Sequence, residues 1–186
     1  MIQKSRYVLI KSRDSIAKQH ALETLNQYAE EGNGFALNIL GIFHLRGRGG
    51  LEKDTVKACE LFRKSADAGT VDAMCNAAKL YRLGKGGVAK DYDQAYKYYR
   101  MAADNNHKIG IFWVGRCYYK GFGVKKDFKK AYEHFVISDK NNLVIAKYLL
   151  GVLTFKGWGT EVNTEEGAKL VKEALALGYK PAQKFM

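Results

Sequence analysis

LGIFHLRGRGG (residues 40–50), AAKLYRLGKGG (77–87), VGRCYYKGFGV (114–124) and LGVLTFKGWGT (150–160) are four copies of one segment. A small residue stands second in each, at Gly41, Ala78, Gly115 and Gly151. Glycine follows at Gly47, Gly84, Gly121 and Gly157, and again at Gly49, Gly86, Gly123 and Gly159. The copies are spaced 37, 37 and 36 residues apart. Self-similarity at such a period marks a stacked-repeat architecture: one supersecondary unit cannot bury its apolar face alone, and its neighbours complete the core.

The rest of the unit keeps register. Ala36, Ala73, Gly110 and Ala146 are the small residues of a first helix, and Asp54, Asp91, Asp127 and Asn163 stand before a second. Within that second helix come Ala58, Ala95, Ala131 and Gly167, then Phe62, Tyr99, Phe135 and Val171. Each unit reads as helix A, a glycine turn and helix B. Glycine ends helix A because it enters the left-handed region without strain, and Asp or Asn accepts from free amides at the start of helix B. Small residues let the helices approach and large apolar ones fill the space around them. The loop before the cap is one residue shorter in the later copies, which accounts for the shorter step.

Residues 14–32 match helix B of an earlier unit, with Ala21, Leu25, Ala29 and Gly32 in the register of Ala58, Phe62, Ala66 and Gly69. Residues 1–11 read as a worn helix A, Tyr7 taking the slot of Tyr81 and Tyr118. The expected organisation is a single domain over 1–186. It has a half repeat to residue 35, repeats at 36–72, 73–109, 110–145 and 146–181, and a stub at 182–186 that either caps the stack or opens a further unit.

Composition agrees with this all-α reading. The 186 residues are 47% hydrophobic and include one proline, Pro181, as expected of a chain made mostly of helix. The formal net charge of +12 suits an acidic protein, a nucleic acid or an anionic surface, and does not choose among them. Cys59, Cys75 and Cys117 are too few and too irregular for a disulfide framework and fit a reducing compartment. The apolar run near the start, Tyr7 to Ile10, is too short for a secretory signal, and no stretch is long enough to span a membrane. A soluble, cytoplasmic protein is the expectation.

The pattern A-x3-LG-x2-Y-x2-G-x-G, followed by D-x3-A and a K-A-A-x2-G ending, resembles the Sel1-like repeat family. The second copy carries it as Ala73, Tyr81, Gly84, Gly86, Asp91, Ala95, Ala102 and Ala103; the first as Leu40-Gly41, Gly47, Gly49, Asp54, Ala58, Lys64, Ala66 and Gly69. The resemblance covers about Ala36 to Gly178. His44 and Thr154 depart from the tyrosine, Asn142 from the closing glycine and Gly167 from the alanine. It implies a right-handed α–α superhelix, a solenoid related to tetratricopeptide arrays, in proteins that act as adaptors, receptors or regulators, often in bacteria. Some Sel1-like bacterial proteins carry a cysteine pair in every repeat, and this chain does not.

In arrays of that kind helix A lines the concave face. Positions three or four apart share a helix face, which selects Asn38, Ile42, Leu45 and Arg46 in the first repeat and Cys75, Lys79, Arg82 and Leu83 in the second. The third gives Phe112, Arg116, Tyr119 and Lys120, and the fourth Tyr148, Val152, Phe155 and Lys156. None is acidic, and the aromatics fall in the last two repeats. Aromatic and arginine side chains are the usual anchors of protein interfaces. The expected partner is therefore an acidic protein or peptide with apolar anchors, held by Phe112, Arg116, Tyr119, Lys120, Tyr148, Phe155 and Lys156 together with Lys79 and Arg82. The same aromatics at helical spacing also fit packing between helices, and both readings stay open at this stage.

Function is expected to be non-catalytic: an adaptor, a regulator or a toxin-neutralising inhibitor. The alternative is a basic nucleic-acid-binding solenoid, with Lys120, Lys125, Lys126, Lys129 and Lys130 around one turn as its contact. RGRGGLEKDT (46–55) and GKGGVAKD (84–91) lack the lysine–hydroxyl pair and the strand of a phosphate-binding loop. His20, His44, His107 and His134 show no paired metal spacing, and no catalytic set stands out. Neither cofactor nor metal is expected.

Overall fold

The computed structural model describes residues 1–185. Helices α1 (Ile2–Lys11) and α2 (Ser15–Glu30) form the half repeat. Four pairs follow: α3 (Gly34–Arg46) with α4 (Thr55–Asp67), α5 (Val71–Leu83) with α6 (Tyr92–Asp104), α7 (Lys108–Lys120) with α8 (Phe128–Lys140), and α9 (Val144–Lys156) with α10 (Thr164–Ala176). A 3-10 segment, Lys180–Phe185, comes last. No strand occurs among the described residues. Met186, the end of the expected stub, lies outside them. Each helix A begins two residues ahead of the small residue that marks it, because the backbone is already helical from its cap.

Every repeat ends its first helix alike. Gly47, Gly84, Gly121 and Gly157 hold φ between 60° and 74°, and the next amide reaches back to the carbonyls of Phe43, Leu80, Cys117 and Leu153 at 3.0–3.1 Å, a Schellman closure. At Gly86 close packing adds a second requirement. A Cβ on Gly86 would stand 2.6 Å from the Thr55 carbonyl oxygen, so the turn packs directly on the start of the preceding helix B.

The caps are equally uniform. Asp54, Asp91, Asp127 and Asn163 accept from Lys57, Gln94, Lys130 and Glu166 amides at 2.9–3.0 Å. Each cap residue also donates its own amide to helix A, to the carbonyls of His44, Tyr81, Tyr118 and Thr154 at 2.9–3.0 Å. The loop is thus closed at both ends on backbone groups that a bare helix terminus would leave unpaired.

The chain divides into two compact bodies, Met1–Tyr98 and Tyr99 onward. In the first, Leu9, Leu25, Leu40 and Phe43 make one apolar cluster and Cys59, Phe62 and Leu80 a second. In the other, Phe112, Phe135, Leu149 and Leu153 form the main cluster, and Val152, Val171 and Ala182 a smaller one that Tyr148, Tyr179 and Phe185 cover. Ala182 is fully buried, so the last described segment packs against its own body.

Candidate functional site

α7 and α9 carry the richest part of the expected surface. Arg116 lies with its Cζ 5.4 Å from the centre of the Trp113 ring, and Lys120 Nζ stands 5.0 Å from Tyr119. Lys156 Nζ is 4.6 Å above Trp158. On the same body Lys126 Nζ sits 5.3 Å from the centre of Phe128, and Lys130 Nζ 5.3 Å from that of Tyr118. Ring quadrupoles attract cations, so these positive side chains are gathered over aromatic faces. Arg116 Nε is buried and has no hydrogen-bond partner, a donor that costs free energy to leave unmet.

Beneath the cations the rings pack on one another. Tyr119 touches Phe128 and Phe135 at 5.8 and 6.3 Å, and Phe128 stacks on Trp158 at 4.9 Å. Phe112 is 5% exposed and lies against Trp113 and Phe135. It belongs to the core and presents almost no surface to a partner. Val152 is likewise buried. Tyr148 is half-buried between Tyr179 and Phe185; burial first, and then the neighbouring Tyr179 and Tyr119, push its phenol up. Phe155, 37% exposed, meets the Phe185 edge at 5.2 Å. The 3-10 segment therefore covers part of the face that helix spacing assigns to α9.

On the first body, Lys79 is exposed and Arg82 half-buried on α5. Asn38 is buried and accepts from Asn76 at 3.0 Å, tying α3 to α5. Ile42 and Leu45 pack on the core, while Arg46 and Leu83 are exposed. Cys75 is half-buried, its thiol pushed up to about 12 by burial and then by Asp72, which disfavours the thiolate.

Trp113, Phe128, Trp158 and Phe185 were not selected by helix spacing. Trp158 had a signal, since it stands between two turn glycines where Arg48, Lys85 and Phe122 stand elsewhere. The others lie off the chosen helix face, and only packing brings them to it. The histidines are separate: His20 pairs with Glu23, His44 is buried, His107 caps α7 and His134 stacks on Tyr118. No cluster of three potential metal ligands occurs among the described residues, and no described helix is long and apolar enough to cross a membrane.

Four segments of the chain, residues 34–70, 71–107, 109–137 and 144–179, match the model of the Sel1 repeat. Among solved structures, a Sel1 repeat protein from Oxalobacter formigenes is 27% identical with a TM-score of 0.79, over 91% of this chain and 66% of that one. A protective antigen of uropathogenic Escherichia coli strains, which displays an SLR fold, is 20% identical with a TM-score of 0.85, over 100% of this chain and 40% of that one. Helicobacter pylori cysteine rich protein B is 23% identical with a TM-score of 0.52, over 72% of this chain and 96% of that one. The chain thus spans less than two thirds of the length of the first two. No curated protein matches it in sequence.

Proposed function

Because the chain belongs to the Sel1 repeat family, whose repeats generally serve as protein-interaction modules, we propose that it is a non-catalytic binding protein for an acidic partner. The contact surface is the helix A face of the C-terminal body, with Arg116, Tyr119 and Lys120 of α7 and Tyr148, Phe155 and Lys156 of α9. Lys79 and Arg82 of α5 are separate candidate contacts on the N-terminal body, and Phe112 acts from beneath by supporting Trp113 and Phe135. The repeats at 36–72, 73–109, 110–145 and 146–181 are read as parts of one domain.

The observation that carries this reading is the placing of Arg116, Lys120 and Lys156 over Trp113, Tyr119 and Trp158. Cations held over rings lose less freedom on binding than cations on mobile stems, and the rings supply the apolar contact that an acidic segment with hydrophobic anchors requires. The sharpest form of the proposal is a cytoplasmic inhibitor that neutralises one acidic toxin domain in a stoichiometric complex.

The test compares the wild type with Arg116→Glu/Lys120→Glu/Lys156→Glu in capture from native lysate at moderate salt. An acidic protein held by the wild type and lost by the variant, with helicity unchanged, supports the surface. Equal capture by both removes it. Nucleic acid carried by the wild type in place of protein transfers the function to the basic-solenoid reading, whose affinity falls steeply with salt.

A further inference from the structure

Within the N-terminal body, α1 and α3 border a slot unlike the aromatic face of α7 and α9. Ile39, Ile42 and Phe43 of α3 line it together with Ile10 of α1, and its volume is about 40 Å3. The other described lining residues are three arginines: Arg6 of α1, Arg46 of α3 and Arg48 of the first glycine turn. No acidic residue is among the described lining residues.

Sequence and packing together bring these charges to one place. Arg46 and Arg48 stand on either side of Gly47, the left-handed residue that ends α3, and the Arg48 amide donates to the Phe43 carbonyl at 3.1 Å. A Cβ on Gly49 would lie 3.4 Å from Phe43 and 3.6 Å from Leu9, so the turn packs on α1, the helix that carries Arg6. The three arginines are exposed, and Ile10 is 51% exposed at the rim, while Ile39 and Phe43 are buried. Like charges around one slot repel one another, and an anionic group set among them relieves that repulsion.

We infer that this slot docks an acidic protein segment that carries one aliphatic side chain of leucine size. About 10–15 Å3 of such space holds one water, so the slot accepts a few heavy atoms and no long acyl chain. Its isoleucine and phenylalanine lining calls for hydrocarbon there. The guanidinium groups at the rim pair with carboxylates through two parallel hydrogen bonds. Three of them call for more than one carboxylate, which acidic neighbours along a peptide supply and a single free acid does not. Phosphates of a nucleic acid would meet the arginines and leave the apolar slot empty. The site uses none of the residues of the proposed partner surface, so either can fail without the other.

The test is titration of the isotope-labelled full chain with acetylated, amidated Glu-Glu-Leu-Glu-Glu, followed by amide chemical shifts at moderate salt. Saturable shifts centred on Ile10, Ile42, Arg46 and Arg48 support the site, with Glu-Glu-Ala-Glu-Glu about tenfold weaker for want of the buried hydrocarbon. Gln-Gln-Leu-Gln-Gln, which has no charge, should give no saturable shift. Arg46→Gln/Arg48→Gln alters only exposed side chains and should weaken the leucine peptide about tenfold. Lys85→Gln/Lys97→Gln removes the same charge elsewhere on the body and should leave binding within about twofold, because salt screens distant charges. Shifts that fail to saturate or centre elsewhere, equal binding of the leucine and alanine peptides, saturable binding of the glutamine peptide, or equal loss in both variants overturn the inference. So does a single-stranded DNA that shifts the same residues at lower concentration than the leucine peptide.

Discussion

Gly41 shows how closely single positions are constrained. A Cβ there would stand 2.7 Å from a ring carbon of Phe62, which is itself fully buried. Gly115 faces Phe135 in the same way at 2.9 Å. The glycine is thus the means by which helix A and helix B come into contact, and the buried aromatic cannot move aside without disturbing its other neighbours. Gly41→Ala should cost about 1–3 kcal/mol through overpacking, read as a lower midpoint in chemical denaturation. An unchanged midpoint would mean that the Phe62 ring has room to turn. The same scale corrects the sequence reading of Phe112: helix periodicity places it beside Arg116, yet its ring is core and Arg116 rests on Trp113.

At the scale of elements, the helix pairs are tied by side chains as well as by apolar contact. Lys147 of α9 reaches Glu173 of α10 at 3.0 Å and Asp139 of α8 at 3.5 Å. The hydrogen bond to Glu173 is the main reason that Lys147 is pushed up, and the same bond holds Glu173 down. A carboxyl lowered in the folded state stabilises above its unfolded pKa, and that contribution is lost as pH falls through the folded value. A lysine raised in the folded state stabilises below its unfolded pKa, with loss as pH rises through the folded one. Glu173→Gln should therefore melt below the wild type at neutral pH, with the gap closing in acid below the carboxylate range and again in strong base. A gap that is the same at every pH would show that the bond contributes nothing through ionisation. Around this tie the loops are uniform, because each cap residue both accepts from helix B and donates to helix A.

For the whole molecule, 31 basic and 19 acidic residues leave a charge of +12. A large net charge of one sign destabilises the compact state by self-repulsion. Moderate salt screens that repulsion, so thermal stability should rise from low to physiological ionic strength, measured in a neutral buffer. A fall would show that the ion pairs outweigh the net charge. The four helix pairs, their glycine turns and their caps were legible in the sequence, because backbone conformation at glycine and at a capping carboxylate is a local property that recurs wherever the residues recur. Which aromatic side chains support the cations was not legible. Helix spacing marks a face, but Trp113, Phe128 and Trp158 reach the cations from off that face, from another helix or from a turn. Phe185 covers part of α9 from the last described segment. Phe112 shows both contributions. The sequence alone determined that a large apolar ring stands on the chosen face of α7. Only the tertiary structure decided that this ring packs on Trp113 and Phe135 and not at the surface, because close packing depends on every neighbour at once and not on the residue itself.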